Sequence, residues 1–189
     1  PTIVAFYILD EPYSNGESWG IPYIKRNLEA AGAISKQYFP TVPLAVIFAA
    51  SEVYKGGFSL PENFDWFSFD NYGCWDSAEC RGGIRGTFEF LADKVSELSS
   101  LKSQKKLFAV AESYSNHERA SDGEQENIRR RAKRYFQMAQ TNDCFVAYMP
   151  FIYQTFKDGG GIITGAETMP VVHKEYERQG QVWYSKQKQ

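Results

Sequence analysis

Five times the chain passes from a short apolar run into a segment with helical spacing, with no convincing hairpin between them, and this alternation limits its folds more than any other feature. Strands that alternate with helices form a parallel sheet joined by right-handed crossovers. The apolar runs are Ile3–Leu9, Leu44–Ala50, Phe64–Asp70, Leu107–Ala111 and Phe145–Ile152. Such near-continuous runs read as strands buried on both faces. Pro22 suits the first turn of a helix whose stripe is Ile24, Leu28, Ala31, Ile34 and Tyr38, and Pro40 and Pro43 close it. Phe88, Leu91, Ala92, Val95 and Leu98 form a second stripe, and Ile128, Ala132, Tyr135, Phe136 and Ala139 a third. A last helix runs from Pro170 to Tyr184. Gly159-Gly160-Gly161 lacks the spacing of a phosphate loop and reads as a flexible connection. No linker-like stretch or repeat interrupts the pattern, so one α/β domain is expected over residues 1–189.

Two architectures accommodate five βα units. One is an open, flavodoxin-like five-stranded parallel sheet, which suits a chain of 189 residues. The other is a TIM-type (β/α) barrel of which five units are visible, since a full barrel takes about 250 residues. The strand ends favour the barrel. Four of the five runs finish in polar groups: Asp10-Glu11, Glu52, Asp70-Asn71-Tyr72 and Glu112-Ser113-Tyr114. An open sheet binds its ligand at one switch point, whereas every strand of a barrel points its C-terminal end at one site. Glu52 is followed by nothing resembling a motif and reads as a loop acid that caps the next helix.

Composition removes several functional classes. With 21 basic and 23 acidic residues and a formal net charge of −2, the chain lacks the footprint of a nucleic-acid binder. The basic run Arg129, Arg130, Arg131, Lys133 and Arg134 reads as the solvated face of a helix. No apolar run approaches the ~20 residues of a membrane helix. Two His and three Cys, in no zinc-like spacing, give no reason to expect a metal or other cofactor, and neither His117 nor His173 is assigned a role. Cys74 and Cys80 are close enough in sequence to pair if the protein is exported, which is the one hint of a secreted or extracytoplasmic location. The chain opens without Met on strand-like residues, so a processed product or a chain that begins inside a domain is expected.

Asp10-Glu11-Pro12 at a strand end resembles the Asn-Glu-Pro signature of the retaining glycoside hydrolases of the clan A barrel superfamily. That family carries its acid/base glutamate at the end of strand four and its nucleophile glutamate at the end of strand seven. If the first run corresponds to strand four, the run three units on ends at Glu112, as the resemblance requires, and Phe145–Ile152 becomes strand eight. The resemblance thus implies Glu11 as acid/base and Glu112 as nucleophile. It implies an O-glycosidic bond of a β-linked poly- or oligosaccharide as the target. Asp10 stands where the family has Asn, and Tyr153-Gln154 where strand eight often ends in Trp. Strands one to three have no counterpart, which implies a preceding segment or a partner chain that completes the barrel, or a barrel that is partial.

Glycoside hydrolysis needs one protonated carboxyl to assist the leaving oxygen and one ionised carboxylate to attack the anomeric carbon. The charges of Asp10 and Glu112 would favour a proton on Glu11. Tyr72 is placed to hydrogen-bond the nucleophile, and Asp10 and Asp70 to contact sugar hydroxyls. Tyr13, Trp19, Trp75 and Tyr114, just past strand ends, are candidate platforms for sugar rings. Trp66, Phe67 and Trp183 read as packing. Two other functions fit the same chain: a non-catalytic carbohydrate-binding or assembly protein derived from a barrel, and a flavodoxin-like domain for a small phosphorylated ligand.

Overall fold

The computed structural model describes residues 3–15, 20–72, 83–101, 105–158 and 161–186. In chain order these form β1 (Phe6–Asp10), α1 (Pro12–Asn15), α2 (Ile21–Tyr38), β2 (Leu44–Ala49), α3 (Ala50–Val53), β3 (Trp66–Asp70), α4 (Gly83–Leu101), β4 (Lys106–Glu112), β5 (Tyr114–Ser115), α5 (Asp122–Thr141), β6 (Phe145–Phe151), β7 (Phe156–Asp158), β8 (Gly161–Gly165) and α6 (Pro170–Lys186). The expected α/β architecture is present: a five-stranded sheet of order β1-β2-β3-β4-β6, with parallel pairing through β1, β2, β3 and β4, and helices between its strands. The chain divides into two compact units, residues 1–108 with 144–147, and residues 109–143 with 148–189. β4 and β6 give their first residues to the first unit and the remainder to the second.

In the first unit, register sorts the side chains. Registered neighbours in a parallel pair point to the same side of the sheet. Phe6 pairs with Leu44, Leu9 with Val46, and Val46 with Phe67, so these share a face with Phe48 and Phe69. That face is the helix-covered one: Phe69 meets Phe88 of α4 at 4.3 Å between ring centres, and Phe88 meets Phe145 at 5.2 Å. The other face carries Tyr7, Asp10, Ala45, Ile47, Ala49, Trp66, Ser68 and Asp70. It is built from smaller and more polar side chains toward the C-terminal ends of the strands.

β1 departs from its expected burial. It lies at the edge of the sheet, with Tyr7, Leu9 and Asp10 exposed, because among the described residues only β2 pairs with it. It is also shorter at its start, beginning at Phe6 where Ile3 was expected, since Pro43 supplies the first carbonyl, to Phe6 N at 2.8 Å. Ala50, expected to end the second strand, instead opens α3. The reason is Glu52, which is fully buried and turns its carboxylate back onto the sheet. One oxygen accepts from Ala49 N at 2.9 Å and the other from Ser14 N, tying α1 to the end of β2. Expected as a loop acid that caps the next helix, Glu52 instead lies within α3 itself and caps the amides of Ala49 and Ser14. At the start of β3, Asp65 accepts from Leu44 N at 2.9 Å and pairs with Lys36 at 2.8 Å.

The second unit holds a hairpin that the strand–helix alternation hid. β7 and β8 pair antiparallel, and β8 also pairs with β5, giving a three-stranded sheet of order β5-β8-β7. Gly161 belongs to β8, with φ of 147°, a region open to glycine. Two short runs separated by a pair of glycines are a hairpin signature. α5 begins at Ser121, whose Oγ accepts from Glu124 N at 3.2 Å. Its Ile128 packs with Ala120, Ala166, Met169 and Val172, the last on α6. Trp183 packs against Phe136 at 6.1 Å, as expected. The basic run on α5 is less solvated than expected. Arg131 pairs with Glu112, while Arg129 and Lys133 reach 4.0 and 3.8 Å from Glu175, a buried acid on α6 that Arg178 also binds at 2.6 Å.

The Glu52 clamp is directly testable. Glu52→Ala leaves two backbone amides without their acceptor and is expected to cost about 2–4 kcal/mol of stability in urea denaturation. Glu52→Gln, which keeps one amide oxygen as acceptor, should recover part of that loss.

Candidate active site

The acids of the first unit gather because of an irregularity in β1. Between Tyr7 and Leu9 the register with β2 slips: Tyr7 pairs with Ala45, yet Leu9 pairs with Val46. A bulge of this kind re-aims the residues that follow it. With strict alternation Asp10 would share a face with Phe6; the slip turns it to the face of Tyr7, whose hydroxyl donates to Asp10 Oδ1. Asp70 closes β3 on the same face, in register with Ala49. Glu11 follows Asp10 with φ of 42°, an uncommon conformation for a residue with a side chain, and its amide donates to Ile47 O at 3.0 Å. Such backbone is held only where its surroundings over-determine it.

The result is a carboxyl pair. Glu11 and Asp10 both lie close enough to Asp70 for their charges to be felt there. Burial, then the negative charges of Glu11 and Asp10, push the Asp70 carboxyl up to about 8. Two carboxyls in contact cannot both ionise cheaply, so the pair holds one proton at neutral pH. Burial and the bond to Asp10 likewise push the Tyr7 phenol well above its ordinary range. The Tyr72 hydroxyl lies 3.4 Å from Asp70 Oδ2. Asp70, expected only to contact sugar, is thus the carboxyl of the cluster that burial and its neighbours push up most clearly.

Tyr13 is not a surface platform. Its side chain is 1% exposed, stacked on Phe48 at 5.6 Å and edge-on to Phe58, and its hydroxyl donates to Ser59 O at 2.9 Å. Pro12 and Tyr13 open α1, and the Glu52 clamp on Ser14 draws that turn into the core. The exposed ring beside the acids is Tyr7. Trp19, Trp75 and the pair Cys74 and Cys80 lie outside the described residues.

In the second unit, Glu112 is held by its own neighbours. Arg131 donates through Nε to Glu112 Oε2 at 2.6 Å and through Nη2 to the same oxygen, and Tyr176 OH donates to the Glu112 carbonyl at 2.6 Å. Burial pushes the Glu112 carboxyl up, and the charge and hydrogen bond of Arg131 oppose that. Nothing in the sequence marks Arg131 or Tyr176: one sits in a basic helical run and the other in an amphipathic helix. Tyr114 lies half-buried in β5 and meets Phe151 edge-on at 6.1 Å. Among the described residues no group of three His, Cys, Asp or Glu is arranged to hold a metal ion, and no helix is long and apolar enough to cross a membrane. Compared with protein-family models and with curated protein sequences, the chain finds no match in either.

The proton on the pair has a signature in stability. The Asp70 carboxyl titrates near 8 in the folded chain and in the ordinary carboxylate range, near 4, once unfolded. Between those limits the folded state binds the extra proton, so stability falls as pH rises, by at most about 1.4 kcal/mol per pH unit, and levels off above 8. Asp70→Asn should remove this slope. Urea midpoints for both proteins at pH 5, 7 and 9 measure it; parallel pH profiles would refute the shared proton.

Proposed function

We propose that this chain is a barrel-type glycoside hydrolase acting on a β-linked poly- or oligosaccharide. The observation that carries the reading is the gathering of Glu11 and Asp70 at the C-terminal ends of parallel strands, where burial and like charge push the Asp70 carboxyl up to about 8. A departing sugar oxygen needs a proton in the transition state, and a carboxyl must be kept neutral well above its ordinary range to supply it. Glu11 keeps the acid/base role that the resemblance implies, beside the Asp70 carboxyl that burial and like charge push up. Glu112 is taken over from the family resemblance as the attacking carboxylate, with Arg131 opposing its protonation. Tyr7 replaces Tyr13 as the ring offered to a sugar beside the acids.

The strand order supports the barrel. Neighbours follow one another in chain order, as consecutive strands of a barrel do, and the first strand is at the edge. A flavodoxin-type sheet of order 2-1-3-4-5 has its first strand inside. A second reading, a carbohydrate-binding or assembly protein without turnover, is favoured by one observation: Arg131 already occupies a Glu112 oxygen.

Sugar release from a panel of β-linked polysaccharides, and from aryl glycosides with acidic phenol leaving groups, separates the two. Glu11→Gln should lower polysaccharide turnover by roughly 10²–10⁴-fold and aryl glycoside turnover far less, because an acidic phenol departs without a proton. Glu112→Gln should lower both. Full activity in Glu11→Gln would sink the assignment, and saccharide binding without release by the wild type would establish the second reading.

A further inference from the structure

In the second unit a groove of about 640 Å³ is lined by α5 and α6. α5 contributes Arg129 and Lys133, and α6 contributes Lys174, Arg178 and two acids, Glu175 and Glu177. Arg129 and Lys133 are four residues apart, as are Lys174 and Arg178, and like charges at that helical spacing repel. Glu175, whose side chain is 5% exposed, draws three of the four cations together. Its Oε1 accepts from Arg178 Nη2 at 2.6 Å and Nε at 3.2 Å, and from Gln179 Nε2 at 2.9 Å. Arg129 and Lys133 stand 4.0 and 3.8 Å from Oε2, near enough for attraction and too far for a hydrogen bond. Arg129 is shared with Glu126, and Glu177 lies 3.6 Å from His173. Among the described residues Lys174 has no hydrogen bond or ion pair, and Arg178 Nη1 has none either. One cation beside a buried acid would satisfy it. The others leave positive charge and unused donors facing a concavity.

We propose that this groove binds a tetrahedral oxyanion, the phosphate or sulfate ester of a small ligand, through Lys133, Lys174 and Arg178. Glu175 is the positioning residue: it is neutralised by Arg178 and ties down two of the three guanidinium nitrogens, so the third is held in one direction. A guanidinium fork and two ammonium groups are the donors that such esters take. A concavity with an excess of one charge also concentrates counter-ions. The volume falls among small-ligand pockets, roughly 300–1,000 Å³, and exceeds what a lone ion fills. The ester therefore arrives on an organic body, for which Val171 supplies an apolar contact. Glu177 on the lining and Glu126 beside Arg129 would repel a long polyanion, which favours a compact ligand over a nucleic-acid strand. The site is independent of the reaction proposed above.

Amide chemical shifts of the full chain, titrated with phenyl phosphate and with phenyl sulfate at constant ionic strength, test the proposal. Saturable shifts are expected in residues 129–133 and 174–178 with at least one ester, and the tighter of the two identifies which ester the groove takes. Lys174→Ala and Lys133→Ala should each weaken binding about tenfold, the loss of one charge-assisted hydrogen bond. Because Lys174 is exposed, thermal unfolding of Lys174→Ala should match the wild type. Lys94→Ala, on α4, should bind as the wild type does. Shifts that stay linear with both esters, equal shifts with phenol, or an affinity unchanged in Lys174→Ala would overturn the proposal.

Discussion

β2 is the strand on which the first unit hangs. Leu44, Val46 and Phe48 are buried on one face and Ala45 and Ile47 on the other, with parallel partners on both sides. Its upper end is closed by the buried Glu52 carboxylate, which accepts from Ala49 and from Ser14 and so anchors the turn after β1. A buried acid engaged by two backbone amides is costly to break and inflexible in direction. The positions of Glu11 on one side and Asp70 on the other follow from this fixed strand, which separates β1 from β3 while holding both in register.

Asp70 and Glu112 share the effect of burial and differ in the charge beside them. Around Asp70, burial and like charge combine, and the proton is retained. Around Glu112, burial is opposed by a guanidinium. Both carboxyls are thus pushed up by burial, and only Glu112 has a cation beside it to oppose the shift. The same arrangement has a structural cost, since neither group is in its cheapest state and each depends on neighbours to hold it.

Much of this was legible in the residues. Five apolar runs separated by helical stripes announced a parallel sheet, and the stripe Ile128, Ala132, Tyr135, Phe136, Ala139 is the buried face of α5. The polar strand ends pointed to Asp10, Glu11 and Asp70. What periodicity could not carry was anything set by tertiary neighbours. Burial of β1 was inferred from its composition, which is that of an interior strand, whereas its exposure depends on what pairs with it. Tyr13 is pulled inward by an acid 39 positions later in the chain. The β7–β8 hairpin was obscured because Phe156–Asp158 and Gly161–Gly165 are too short for an alternating pattern to stand out. Arg131 and Tyr176 reach Glu112 from helices whose patterns are satisfied without that contact.

The slip in register between Tyr7 and Leu9 has a consequence for how such a segment can vary. Which side of the sheet receives the carboxylate of Asp10 is decided by the number of residues spanning the slip, not by their identity. Ile8 and Leu9 are free to change so long as they remain apolar, whereas the hydroxyl of Tyr7 is tied to Asp10. Loss of a single position would carry the acid through the plane of the sheet into the layer of helices, although every residue type needed for the cluster would still be present.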